Sequence, residues 1–225
     1  MNALDMVEAA FAPLAGKRLL DVGCGSGELS RALAERGARP VGVDPNPEAL
    51  RRACAVGPGA AFVQAAAESL PLPDASMAGV VFLNSLHHVP EAAMAQALRE
   101  AARVVMDDGA VVVIEPLAAG SFFSALLIVE DETAIRAAAQ RAIKTAVEAG
   151  TFALTRTVDY VRRERLESAD RFLARIVAVD PARAAMAGRR RAEIEAAFSR
   201  YATRDADDAP VLDQPIRAHV LRPRR

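Results

Sequence analysis

Glycines at alternate positions, set between two acidic residues, are the feature of this sequence that most clearly indicates chemistry. Gly23, Gly25 and Gly27 follow Asp21, and Asp44 follows the next apolar run. Glycine adopts positive φ without strain, and its missing Cβ lets a ligand lie directly on the backbone. A helix that starts here offers unpaired N–H groups and a partial positive charge, which suit a carboxylate. A strand-end carboxylate such as Asp44 can accept hydrogen bonds from two ribose hydroxyls.

The spacing of these glycines argues against two other ligand classes. A dinucleotide-binding loop has the pattern G-x-G-x-x-G, and its third glycine would fall on Glu28, whose charge would face a pyrophosphate. A phosphate-binding loop of the form G-x-x-x-x-G-K-[ST] is absent from the sequence. We therefore do not expect NAD, FAD or a nucleoside triphosphate at this loop.

The elements that must position the glycines are read from the hydrophobic pattern around them. An apolar run over residues 18–22 predicts a strand, helical spacing over 28–36 predicts a helix, and a second apolar run over 39–43 predicts another strand. A strand, a tight turn, a helix and a strand make one βαβ unit of a parallel sheet.

The pattern Asp21-x-Gly23-x-Gly25-x-Gly27, with Asp44 at the end of the next strand, resembles that of the class I S-adenosylmethionine-dependent methyltransferases. Within them the chain resembles the small-molecule group related to ubiquinone and menaquinone biosynthesis methyltransferases. The resemblance implies an enzyme that transfers a methyl group from S-adenosylmethionine to an O, N, S or C atom of a small-molecule acceptor and releases S-adenosylhomocysteine. A non-catalytic S-adenosylmethionine-binding or regulatory protein of the same fold is the alternative.

The resemblance also implies which residues bind the cofactor. They are Asp21, Gly23, Cys24, Gly25, Gly27, Asp44, Pro45, Ala66, Ala67, Glu68, Asn84 and Ser85. Two acids that are usual in the family are replaced by alanine, at Ala66 beside the adenine and at Ala78. For Asp44 the alternative role is to cap the following helix, which Asn46 could do equally well.

Candidates for catalysis and acceptor binding are fewer. His87 and His88 match the family loop after the fourth strand, and either ring could act as a general base or have a purely structural role. Substrate contacts are predicted for His88, Glu115 and Tyr160, although Glu115 could equally be a solvated acid at a strand end. No metal site is expected.

The expected fold is an α/β Rossmann-like sheet of seven mostly parallel strands, with helices on both faces and an antiparallel last strand. One domain covers residues 1–225, with a cofactor half over 1–117 and a substrate half over 118–225. A helical insertion at about 165–205 contains helices over 168–201, which we expect to form a lid or, alternatively, a dimer contact.

Three local predictions concern element boundaries. The apolar stretch 120–129 is expected to be a connection, and residues 182–201 a single helix. A helix over 91–106 should end in a turn at Asp107, Asp108 and Gly109 before a buried strand over 110–115.

Composition narrows the partners. The chain has 225 residues, 52% of them hydrophobic, and a formal net charge of −1, which gives no reason to expect nucleic acid binding. No apolar run approaches the length that crosses a bilayer, and no signal-peptide layout is evident. The two cysteines suggest neither a disulfide framework nor a metal site. We therefore expect a cytoplasmic protein, monomer or homodimer, that acts on a small molecule and contacts neither nucleic acid nor membrane.

Overall fold

A computed structural model describes residues 2–55, 59–180 and 182–224 of the chain. Its strands are β1 (Arg18–Val22), β2 (Arg39–Asp44), β3 (Ala61–Gln64), β4 (Met77–Leu83), β5 (Val105–Pro116), β6 (Phe152–Arg165), β7 (Thr203–Arg204) and β8 (Pro210–Pro223). Its helices are α1 (Ala3–Phe11), α2 (Glu28–Glu35), α3 (Pro47–Ala55), α4 (Glu91–Val104), α5 (Gly120–Leu126), α6 (Thr133–Glu148), α7 (Ala169–Val179), α8 (Arg183–Arg189) and α9 (Arg191–Tyr201). A 3₁₀ helix covers Leu86–His88.

The strands form one sheet in the order β3-β2-β1-β4-β5-β8-β6, and the two-residue β7 pairs with β8. Neighbours from β3 to β5 are parallel, and the C-terminal strand is antiparallel. The order reverses between β1 and β4, so the loops after these two strands diverge at a topological switch point, where α/β sheets bind ligands. The predicted Rossmann-like α/β fold is confirmed.

The interior of the sheet follows from the sequence of its central strands. Residues 19–22 of β1 and 110–116 of β5 are buried without interruption. Parallel strands are covered on both faces, so their sequences are continuously apolar rather than alternating. Glu115 and Asp21 are the charged exceptions in these stretches, and both lie at the edge of the sheet where the loops begin.

Three predicted boundaries are corrected. The stretch after β5 is not a simple connection, because residues 120–126 form α5 and bury Phe122 and Phe123. Residues 182–201 form two helices, α8 and α9, which meet at Arg190. The predicted turn at 107–109 lies within β5, where the register to β4 shifts between Met77 and Gly79 and the extra residues bulge out of the ladder.

The chain divides into two compact units. The first contains Met1–Glu115, Ala138–Val158 and Arg217–Arg225, and the second contains Pro116–Ala137 and Asp159–Ile216. The second unit has a hydrophobic core of its own, in which the rings of Phe122 and Phe172 meet edge to face with centroids 5.2 Å apart. In the described part of the chain no helix is long and apolar enough to cross a membrane.

Candidate functional site

The glycine loop leaves β1 and turns sharply against β2. The N–H groups of Gly23 and Cys24 both donate to the carbonyl of Val43, at 2.8 and 3.0 Å. Gly23, Gly25 and Gly27 have φ values of 72°, 53° and 79°, in the left-handed region that favours glycine. A Cβ on Gly23 would lie 2.5 Å from the Ser85 Cβ, whereas a Cβ on Gly25 would have no neighbour within 4 Å. The loop is therefore tightly packed at Gly23 and open at Gly25.

Asp44 joins this loop to the end of β2. One of its carboxylate oxygens accepts the N–H of Gly25 at 2.9 Å, and the other accepts the N–H of Asn46 at 2.9 Å. The Asn46 side chain accepts the N–H groups of Glu48 and Ala49. Asn46 is therefore the residue that caps α3, and Asp44 is left to organise the loop.

The segment after β3 lies beside Asp44. The Ala65 N–H donates to the Asp44 carbonyl at 3.2 Å, and the Ser69 N–H donates to the Ala66 carbonyl at 3.1 Å. The Gln64 side chain donates to the carbonyl of Pro45. Pro45 itself is exposed. Backbone contacts thus bring the predicted adenine segment, including the buried Ala67 and the half-buried Glu68, to the end of β2.

Asp21 lies beneath the glycine loop and is 2% exposed. Its carboxyl accepts the hydroxyl of Ser30, in α2, at 2.8 Å. Burial raises the pKa of Asp21 to about 6, although the Ser30 hydrogen bond opposes the shift and Asp44 adds a smaller repulsion. The residue therefore fixes α2 against β1.

Cys24 is buried within the loop, and its thiol contacts the Gly25 carbonyl. Burial raises the pKa of this thiol above its usual range, and the nearby charges of Asp21 and Asp44 raise it further. The thiol is therefore protonated at neutral pH and is not an activated nucleophile.

The loop after β4 packs against the glycine loop. The Ser85 hydroxyl donates to the Val22 carbonyl at 2.6 Å, and the Asn84 N–H donates to the Ile114 carbonyl at 2.8 Å. Asn84 has a φ of 52°, which is uncommon for a residue other than glycine. Its side-chain oxygen is buried and has no hydrogen-bond partner among the described residues. A buried acceptor without a partner is costly in a folded protein and indicates a place for a donor.

Glu115 and His87 form a buried pair at the ends of β5 and β4. One Glu115 oxygen accepts the N–H groups of Ser85 and Leu86, at 3.0 and 2.9 Å, and the other contacts Nδ1 of His87. Glu115 is 1% exposed and His87 is 5% exposed, so Glu115 is not the solvated strand-end acid that was one alternative. His88 is exposed, and its ring lies 4.2 Å from that of His87.

The predicted site residues fall into two groups. All of the predicted cofactor residues, His87, His88 and Glu115 belong to the first unit. Tyr160 lies on the part of β6 that belongs to the second unit, where it is half-buried.

Two residues of the site were not predicted. Ser30 holds the Asp21 carboxyl, and the Phe62 ring supports the glycine loop, since a Cβ on Gly27 or Gly42 would meet that ring at 2.9 or 2.6 Å. A small polar residue near a helix start and an aromatic residue in a strand are too common to be recognised from one sequence. The available signal is Gly42, because a glycine inside a strand indicates that another group approaches the backbone closely.

Sequence comparisons find similarity to methyltransferases over part of this chain. Residues 20–113 match the family described as "Methyltransferase domain". An uncharacterized methyltransferase of Mycobacterium tuberculosis is 39% identical over 97 residues, which is 43% of this chain and 39% of that protein. The ubiquinone biosynthesis O-methyltransferase of Ralstonia nicotianae is 40% identical over 95 residues, which is 40% of each chain. The chain thus spans about two-fifths of the length of these relatives.

Solved structures share the fold at low identity. The YcgJ protein of Bacillus subtilis has a TM-score of 0.69 at 20% identity, covering 99% of this chain and 98% of its own. A putative methyltransferase of Bacillus halodurans has a TM-score of 0.67 at 19% identity, covering 98% of both chains. The [4+2]-cyclase SpnF has a TM-score of 0.59 at 22% identity, covering 95% of this chain and 78% of its own.

Proposed function

We propose that this chain, which carries a methyltransferase domain over residues 20–113, transfers a methyl group from S-adenosylmethionine to a nucleophilic atom of a small-molecule acceptor. S-adenosylhomocysteine is the second product. The observation that carries the proposal is the connection between Gly25 and Asp44. A backbone with open space above it is joined by a hydrogen bond to a carboxylate at the neighbouring strand end. This arrangement suits a nucleoside with an attached amino acid, because the carboxylate can accept ribose hydroxyls and the open backbone can receive the amino acid.

The nucleoside half of the cofactor fits the residues at the end of β2. Each Asp44 oxygen accepts one backbone N–H, and a carboxylate oxygen has two acceptor positions, so lone pairs remain for ribose hydroxyls. The backbone after β3 supplies polar groups beside the adenine. Ala66 has no side chain that can contact the amine of adenine, so that contact is lost or comes from the backbone.

The amino acid half fits the loops after β1 and β4. The unpartnered side-chain oxygen of Asn84 would accept a hydrogen bond from the ammonium group. The carboxylate of the same amino acid would lie against the open backbone at Gly25, near the start of α2. The first unit therefore offers a group for the ammonium and a group for the carboxylate of the amino acid.

The residues of this chain contribute mainly alignment. Bound S-adenosylmethionine supplies a methyl group that its sulfonium already activates. Loops that are packed at Gly23 and anchored by Ser85 and Asp44 would hold such a ligand in one orientation. Alignment of two reactants can lower a barrier by roughly 7–11 kcal/mol.

A non-catalytic S-adenosylmethionine-binding or regulatory protein is the second candidate. Ala66 and Ala78 replace family acids, and the [4+2]-cyclase SpnF shows that this fold also occurs in a protein of another activity. The glycine loop and Asp44 nevertheless remain intact, and they favour the methyltransferase.

The proposal includes the cellular location, the oligomeric state and the partners of the protein. We place the protein in the cytoplasm, as a monomer or homodimer, acting on a small molecule without contacts to nucleic acid or membrane. The near-neutral net charge of −1 supports only the expected absence of nucleic acid contacts.

Methyl transfer can be tested without knowing the acceptor. The protein is incubated with S-adenosylmethionine labelled in its methyl group and with a mixture of low-molecular-mass cell metabolites, and labelled products are separated. Labelled small molecules that depend on the protein, and that decrease with Asp44→Ala when the cofactor concentration is limiting, support the enzyme. Tight cofactor binding with no labelled product supports the regulatory alternative.

A further inference from the structure

The side chain of Glu115 is immobilised by three partners from one loop. Its Oε1 accepts two backbone N–H groups, from Ser85 and Leu86, and its Oε2 contacts Nδ1 of His87. Both side chains are almost fully buried. A carboxylate that is held in this way has one orientation, and the ring that it contacts is oriented with it.

We propose that Glu115 is a positioning residue that holds His87 as a general base for an acceptor hydroxyl group. The inference rests on the proposed function and names the base and the acceptor class. A carboxylate beside Nδ1 accepts a hydrogen bond from an N–H at that nitrogen, so the neutral ring carries its proton on Nδ1 and leaves the Nε2 lone pair free. Among the described residues, Nδ1 is the one nitrogen of this ring with a hydrogen bond.

The location suits this role. The Ser85 Cβ is where a Cβ on Gly23 would collide, so the segment that carries His87 lies directly against the glycine loop. Two titratable groups of the described residues, Glu115 and His88, contact the His87 ring. His88 is exposed, whereas His87 is buried and contacts Glu115, and this difference distinguishes the two histidines that the sequence left equivalent.

The proton and electron balance is simple. Nε2 of His87 takes the proton of the acceptor O–H, and the oxygen lone pair forms the new bond to the methyl carbon. The bond between that carbon and sulfur breaks, and its electron pair stays on sulfur. The imidazolium, stabilised by Glu115, later releases its proton to water.

The presence of a base indicates the acceptor. A neutral amine attacks through its own lone pair and can lose its proton afterwards, and a thiol ionises near neutrality without help. A hydroxyl group is a weak nucleophile until its proton is removed during the attack, and a positioned base typically contributes 10²–10⁴-fold. An oriented carboxylate–histidine pair therefore indicates an acceptor with a hydroxyl group.

The ring proton can be located directly, because the chain has only three histidines. Protein with ¹⁵N-labelled histidine is studied by NMR at a pH where the rings are neutral, and His88→Gln and His219→Gln variants assign the signals. We expect the His87 proton on Nδ1. In Glu115→Gln the amide can still accept the two backbone N–H groups, while its NH₂ donates to Nδ1. The proton is then expected on Nε2. A proton on Nε2 in the unaltered protein, or an unchanged position in Glu115→Gln, would overturn the dyad.

Turnover tests the acceptor class with three probes, catechol, aniline and dithiothreitol, and methyl-labelled S-adenosylmethionine. Label is expected in catechol, with a loss of roughly 10²-fold or more in kcat in Glu115→Gln and His87→Gln and little change in KM for S-adenosylmethionine. His219→Gln is the matched control and should retain activity, because His219 contacts Thr157 and Gln140, which are not among the predicted site residues. Label in aniline or dithiothreitol that survives His87→Gln, or label in none of the three despite cofactor binding, overturns the hydroxyl assignment. Failure to bind S-adenosylmethionine contradicts the proposed function instead. In that case the NMR position of the His87 proton still tests whether Glu115 orients the ring.

Discussion

The backbone N–H of Gly25 donates to the Asp44 carboxylate over 2.9 Å, and this hydrogen bond connects the loop after β1 with the end of β2. The two residues are 19 positions apart in the sequence; Gly25 lies in the loop that follows β1, and Asp44 ends β2, the strand parallel to β1. A ligand that contacts both loops therefore meets a single, already ordered surface. Preorganisation of this kind lowers the entropy cost of binding.

Asp44→Ala should weaken binding of S-adenosylmethionine by roughly 10- to 100-fold, because charge-assisted hydrogen bonds contribute about 1.5–3 kcal/mol each. Isothermal titration calorimetry measures the change. The control is Asn46→Ala, which removes the α3 cap and should cost about 1 kcal/mol of stability while leaving the dissociation constant unchanged. An unaltered affinity in Asp44→Ala would move the ribose contact to another residue.

Gly25→Ala should reduce cofactor affinity at least about tenfold, because the new methyl group would enter the open space above the loop. Its φ of 53° should also cost about 1–2 kcal/mol of stability. Gly150→Ala is a matched control, since Gly150 has a φ of 77° and likewise has no neighbour within 4 Å. Equal effects of both variants on affinity would show that strain, rather than the occupied space, weakens binding.

Asp21 should make the protein less stable as the pH rises from about 4 to 6. Its folded-state pKa of about 6 lies above the ordinary value of 3.8, so in this window the folded state binds more protons than the unfolded state. Stability is therefore lost with rising pH and is constant above pH 6, a change of roughly 3 kcal/mol at most. Urea unfolding at several pH values should show Asp21→Asn gaining on the unaltered protein by up to this amount.

Asp131 is a control whose effect on stability should change with pH in the direction opposite to that of Asp21. Its hydrogen bond with Thr133 lowers the pKa of this exposed carboxyl, so its contribution to stability appears as the pH rises and is lost in acid. Asp131→Asn should therefore lose ground against the unaltered protein as the pH rises. A pH dependence of Asp21→Asn that matches that of the unaltered protein would contradict the raised pKa.

Arg183→Met should destabilise the second unit by about 3–5 kcal/mol. Arg183 is buried and pairs with Glu130 and the buried Glu132, so the substitution leaves a buried carboxylate with one partner fewer. Arg191→Met removes exposed pairs with Asp170 and Glu195 and should cost no more than about 1 kcal/mol. Chemical unfolding measures the free energy of unfolding of both variants. An equal loss in the two would contradict the claim that the buried ion pairs of Arg183 stabilise the second unit more than exposed pairs do.

The cofactor side of the fold was predictable because its signals are local. Glycines at alternate positions, an acid at each strand end and continuous apolar runs predicted β1, α2 and β2, with strand bounds that agree within one residue. The roles of Asp44 and Asn46 at the start of α3 remained two alternatives, because either side chain can cap a helix. The structure assigns the cap to Asn46 through its contacts with Glu48 and Ala49.

The Glu115–His87 pair and α5 could not be predicted, because they depend on contacts between residues far apart in the sequence. Glu115 lies 28 positions from His87, and no periodicity indicates that its carboxylate is buried rather than solvated. The helix over 120–126 was missed because a short apolar run has no clear period, and its stability comes from packing with residues such as Phe172 and Phe198. The break between α8 and α9 was not predicted, because position 190 is an arginine rather than a proline or a glycine.

Calorimetric titration of the purified protein with S-adenosylmethionine and S-adenosylhomocysteine tests the central claim most directly. We predict that both ligands bind at one site with micromolar dissociation constants, and that Asp44→Ala and Gly25→Ala weaken both by similar factors. Absence of heat with either ligand, for a protein whose unfolding transition shows that it is folded, would contradict the claim that the glycine loop and Asp44 form a cofactor site.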